Sequence, residues 1–178
     1  LAYSDNPNHL MLDDVQRSII KPLTEAGLSQ DDLGEYLLLH RIIHERTDIA
    51  NPFGHTSATA AETMKGLTDA MSPEQRKAMR SAVDRFHEIV YEAAERAVEA
   101  GVYSRKTFDE TITPNKGNYA AFGVLDYIQG DYVHSGIREQ VGTFKDVANP
   151  FHTTILKTLQ LNRSIELNKA KNAVRDFL

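Results

Sequence analysis

Residues 72–101 read SPEQRKAMRSAVDRFHEIVYEAAERAVEAG, from Ser72 to Gly101. Ser72 stands at a cap position, Pro73 at the first helical position and Gln75 at the third. That arrangement satisfies amide groups that a helix start leaves without partners. Gly101 is a well-placed stop, because glycine enters the left-handed conformation that closes a helix at little cost. Between them Met79, Val83, Phe86, Val90, Ala93, Ala94 and Ala97 recur at helical spacing, while Arg76, Lys77, Asp84, Glu92, Arg96 and Glu99 keep the other side wet. One long amphipathic helix with a core-facing stripe sets the fold class: a mainly α, bundle-like domain.

The segments on either side obey the same logic. Upstream, Asn6-Pro7-Asn8 opens as a loop before a short amphipathic segment around Leu12, Val15, Ile19 and Ile20, which Pro22 and Gly27 punctuate. Ser29 with Asp32 is a capping signature for a helix of roughly 17 residues. Its apolar face runs through Leu33, Tyr36, Leu37, His40 and Ile43. Asn51-Pro52-Phe53-Gly54 signals a turn, and a helix from about Ser57 carries Ala60, Ala61, Met64 and Leu67.

Downstream, Ser104 caps a short helix through Phe108 and Ile112. The texture then changes over residues 115–147. Gly117, Gly123, Gly130, Gly136 and Gly142 alternate with Tyr119, Phe122, Tyr127 and Tyr132, a mixture that predicts loops or short strands. Asn149-Pro150 restarts a long final helix with Leu156, Leu159, Leu167, Ala170, Val174 and Phe177 expected on its core face, interrupted by Arg163. The whole of 1–178 therefore reads as a single helical domain. Its helical ending, with neither glycine cap nor proline stop, suggests a fragment of a much longer polypeptide.

Composition excludes several function classes. Hydrophobic residues make up 41% and charged residues 25% of the chain, a globular balance. With no cysteine, disulfide frameworks, thiolate zinc sites and cysteine nucleophiles are ruled out. The longest apolar runs, such as Tyr36–Leu39, are too short to span a bilayer, so no membrane partner is expected. The opening Leu1–Asp5 turns polar within a few residues, unlike a signal peptide. A net charge of −5 disfavours wholesale binding of polyanions and leaves room only for a local basic face.

Two such local constellations stand out. His40 and His44, spaced i and i+4, share a helix face; with His55 beyond the turn they form a candidate divalent-metal cluster for a small metal-dependent enzyme. The His-Arg-Ile-Ile-His order lacks the glutamate of the zincin motif, and His40 lies on the apolar face, where a core histidine is the plainer reading. In the last helix Lys157, Arg163, Lys169, Lys171 and Arg175 outnumber Glu166 and Asp176, a local charge of +3 that would suit phosphates. The opposing reading is an ordinary solvated face. Paired carboxylates sit at helix starts, where they complement the macrodipole. Tyr132–Gly136 sets His134 beside Ser135 but lacks a nucleophile elbow, and phosphate-binding glycine loops are missing. No catalytic residues and no cofactor are therefore expected.

Two segments together carry a family resemblance. They are Glu35–Arg46, running into Ile49-Ala50-Asn51-Pro52-Phe53-Gly54, and Ile137–Pro150, leading into a helix with Asn168 and Asn172. With Ala100–Ser104 and Asn118-Tyr119, they make residues 30–178 resemble the helical domains associated with large polyvalent proteins of bacteriophages and conjugative or other mobile elements. The resemblance implies a module beside enzymatic domains in a very long protein that travels with the element's DNA, virion-associated or delivered into the bacterial cytoplasm. It supplies no catalytic residues. The expected function is a non-catalytic structural and interaction module packing on neighbouring domains or another protein, with Tyr119, Phe122 and Tyr132 as candidate contact residues.

Overall fold

The computed structural model describes residues 6–44, 51, 53–118, 123–124 and 147–177. The fold is mainly α. Helix α1 (Pro7–Val15) starts where the Asn6 side chain accepts from the Asn8 amide at 2.9 Å. It runs into a π turn (Gln16–Ile20) and then α2 (Lys21–Glu25) without a break. Pro22 has no amide to donate, and its ring crowds the preceding turn. The widened turn, closed by the Lys21 amide on the Gln16 carbonyl, lets the chain stay helical through it.

Helix α3 (Gln30–His44) begins as its sequence predicts: the Ser29 amide donates to Asp32 at 2.7 Å, and the Asp32 amide donates to the Ser29 hydroxyl at 3.1 Å. The turn that follows is organised by buried Asn51. Its carboxamide donates to the His55 carbonyl and accepts from the His55 amide, while Gly54 takes φ +64. Helix α4 (Ser57–Ala70) is capped by Thr56 and Thr59 reciprocally.

Helix α5 (Pro73–Glu99) carries the Ser72/Gln75 box in full. It ends with Gly101 at φ +72, where the Val102 amide bonds the Ala97 carbonyl and the Gly101 amide bonds that of Val98. That double closure is the glycine stop read from the sequence. A short α6 (Arg105–Thr107), capped by Ser104, continues into a π turn (Phe108–Ile112) and a 3-10 turn (Thr113–Asn115). Strand β1 (Gly123–Val124) pairs antiparallel with β2 (Val147–Ala148), Gly123 opposite Ala148. Most of the glycine- and aromatic-rich segment lies outside the described residues. Helix α7 (Pro150–Phe177) is the last described element.

The main core joins α1, the π turn, α2, α3, α5 and α7. All seven stripe residues of α5 are buried in it, with Phe86 against Phe151 at a ring separation of 6.0 Å. A smaller cluster of Leu38, Leu39, Ile42 and Ala60 holds α4 on the far side of α3.

One expectation fails. The face of α7 assigned to the core is largely the outer face: Leu156 and Leu167 are each 57% exposed, Val174 61% and Phe177 91%, with Ala170 also exposed and Leu159 only partly buried. The buried face instead carries Phe151, Thr154, Ile155, Thr158, Leu161, Asn162 and Ile165. Thr154 and Thr158 donate their hydroxyls back to the Pro150 and Thr154 carbonyls at 2.7 and 2.8 Å, so their polar atoms need no water and their methyl groups face the core. Leu12, placed on the amphipathic face of α1, is likewise exposed at its surface.

Candidate functional site

Three histidines gather on two helices. The His40 and His44 rings lie 4.1 Å apart at 29°, stacked along α3, with Tyr36 above them at 6.2 Å. His87 of α5, a residue the sequence reading passed over, approaches His40 to 5.9 Å. His55 is elsewhere. It faces Phe53 at 6.1 Å and has Nδ1 3.4 Å from the Thr59 hydroxyl, in the cap of α4.

This geometry bears on the metal reading. Imidazole nitrogens bind an ion along lone pairs lying in the ring plane, so two ligands need planes that converge on one point. Stacked rings send their lone pairs out side by side. The His44 Nδ1 lies 2.8 Å from the His40 carbonyl, to which it donates as N–H, so one of its two nitrogens is already committed. Among the described residues no group of three or more histidines and carboxylates is placed to hold a metal ion.

His40 is nonetheless unusual. Its Nδ1 is sealed from solvent with no hydrogen-bond partner among the described residues. Burial, with the neighbouring His44 charge adding to it, lowers its pKa to about 4. At neutral pH it is an uncharged ring in a stack, not a proton donor poised for chemistry.

The five cations of the last helix do not share a face. Lys157 is 2% exposed, turned into the interior near Arg41, itself 4% exposed. Burial and then the Arg41 charge lower the Lys157 pKa. Lys169 pairs with Glu166 at 3.1 Å and Arg175 with Asp176 at 3.2 Å, while Arg163 and Lys171 are exposed. A phosphate backbone laid on this helix would meet neither Lys157 nor two uncompensated neighbours. The candidate contact residues Tyr119, Phe122 and Tyr132 lie outside the described residues.

What the structure adds is a bare apolar stripe. Asn168 donates to the carbonyl of Ala100, the C-cap of α5, so α7 meets the end of its supporting helix there. Leu167 beside this contact, and Ala170, Val174 and Phe177 past it, lie at spacings of three and four and are all exposed. Lys169, Lys171 and Arg175 flank them. The sequence showed this stripe plainly but could not show that α5 stops beneath it.

Among the described residues no helix is long and apolar enough to cross a membrane. Comparison of the chain with known protein families, with curated proteins and with solved structures finds no match.

Proposed function

We propose that this chain is a non-catalytic structural and interaction module, of the kind carried in large phage and mobile-element proteins, that docks on a neighbouring domain or a second protein through the end of α7. The observation that carries this reading is the exposed stripe of Leu167, Val174 and Phe177, which starts beside the Asn168–Ala100 contact and continues past it. A helix end of this length is marginal in water without tertiary support. Each large apolar side chain that a partner covers contributes about 1.5–3 kcal/mol, so three of them support a stable contact. The flanking Lys171, which has no carboxylate partner among the described residues, favours a partner surface with an acidic edge.

The test is site-specific crosslinking in the cell that makes the protein, with a photoreactive residue in place of Val174 and, as control, in place of exposed Glu95. A discrete adduct at 174 that disappears on Leu167→Asp is expected. Equal labelling at 174 and 95 would overturn the proposal.

A further inference from the structure

Arg76, Lys77 and Arg80 lie in the first half of α5, with Glu74 and Asp84 interspersed among them.

The three cations line one concave flank. Pro73, Arg76, Lys77, Arg80, Ser81 and Asp84, at helical spacings of three and four, border a depression of about 300 Å³. Arg76 is held at its rim by donating to the Thr68 carbonyl at 3.4 Å and is partly exposed. Lys77 and Arg80 have no carboxylate partner among the described residues. By contrast Lys65, Lys169 and Arg175 each have one within ion-pair distance, and Arg85 bridges Asp14, Glu88 and Glu92. The flank is therefore a net positive furrow on a molecule whose overall charge is −5.

From Pro73 to Asp84 the furrow runs about 16 Å along the helix axis. A stripe of three cations without described carboxylate partners, with one hydroxyl and with Asp84 at its far end, and no aromatic or amide side chain in its lining to read bases, matches a repeating phosphate chain in shape and chemistry. We propose that this flank of α5 is a sequence-independent contact for the phosphodiester backbone of a nucleic acid, with Arg76, Lys77 and Arg80 each engaging a phosphate and Ser81 donating to one. This site is separate from the apolar end of α7 and stands or falls without it.

The test uses the full chain and a fluorescently labelled 20-base-pair duplex of arbitrary sequence, followed by anisotropy. Three phosphate contacts give a salt slope of about −2.7 in log–log terms, so affinity should fall about 40-fold between 50 and 200 mM salt. Arg76→Glu with Lys77→Glu and Arg80→Glu should abolish binding, and Lys77→Gln with Arg80→Gln should weaken it at least tenfold with the melting temperature unchanged. Lys169→Glu with Lys171→Glu should alter affinity less than twofold. The proposal is overturned by absence of binding at 50 mM salt, by loss of binding on reversing Lys169 and Lys171 instead, or by full competition from 5 mM inorganic phosphate at constant ionic strength, which would mark a small-anion site.

Discussion

The carboxamide of Asn149 fills the space that a side chain on Gly34 would need. A Cβ built there would lie 2.6 Å from Asn149 Cγ, inside any real contact. Asn149 Nδ2 donates to the Gln30 carbonyl and to the Asp31 carboxylate, each at 3.0 Å, while its Oδ1 accepts from the Phe151 amide at 2.9 Å. One side chain thus caps α7 and fastens it to the first turn of α3.

Gly34→Ala should therefore destabilise the fold by about 1–3 kcal/mol through overpacking, although alanine gains about 1 kcal/mol over glycine in an open helix. In an Asn149→Ala background the same change should be neutral or stabilising. Urea unfolding of the four proteins of this cycle measures the coupling; additive effects would show that the close approach does not matter.

His40 makes stability depend on pH. Its folded pKa of about 4 lies below the ordinary 6.5, so the unfolded chain binds the extra proton throughout that interval. Its contribution is complete above pH 6.5 and is lost as the pH falls toward 4. Allowing for the partial exposure of the ring, about 1–2 kcal/mol should disappear over that window. His40→Leu should flatten the profile between pH 7 and 4, as read from unfolding midpoints in denaturant; an unchanged slope would refute the assignment.

The two faces of α7 should respond oppositely to mutation. Val174→Asp and Phe177→Asp should each change stability by no more than about 0.5 kcal/mol, as exposed positions do. Leu161→Ala and Ile165→Ala should cost about 2–4 kcal/mol by leaving cavities. Thermal melts of the four variants decide it, and a large loss at Val174 would put that face back into the core.

Lys157 carries a charge into the interior beside Arg41, and no described carboxylate pairs with it. Replacing a buried cation that lacks a described carboxylate partner by an apolar side chain of similar length removes a desolvation cost. Lys157→Met should raise stability by about 1 kcal/mol or leave it level. A loss of 3 kcal/mol or more, measured by urea unfolding, would show that the ammonium is bonded within the fold.

Of the candidate sites, the sequence made the histidine pair legible because i, i+4 spacing alone puts His40 and His44 on one face. It could not reveal His87, which reaches His40 from a helix more than forty positions away. It made the cations of α7 legible as a composition but not as a surface, since Lys157 points inward. The furrow on α5 was visible only as the wet side of a helix. Nothing local marks Arg76, Lys77 and Arg80 as lacking a carboxylate partner among the described residues.

What the sequence determined by itself lies within one turn of chain. The Ser72/Gln75 and Ser29/Asp32 boxes, the Gly101 stop and the mainly helical class all follow from bonds between residues three to five apart, which form wherever the helix forms. The burial of the α5 stripe was equally readable, because its opposite side is almost entirely charged. The tertiary structure alone decided which side of α7 is inside. Both sides of that helix offer apolar contact once Thr154 and Thr158 return their hydroxyls to their own backbone, so hydrophobic pattern does not choose between them. The choice falls to shape: Phe151 meets Phe86, Asn149 fits against Gly34, and α5 ends at Glu99 with Ala100 as its cap, leaving Leu167, Val174 and Phe177 uncovered by any described helix.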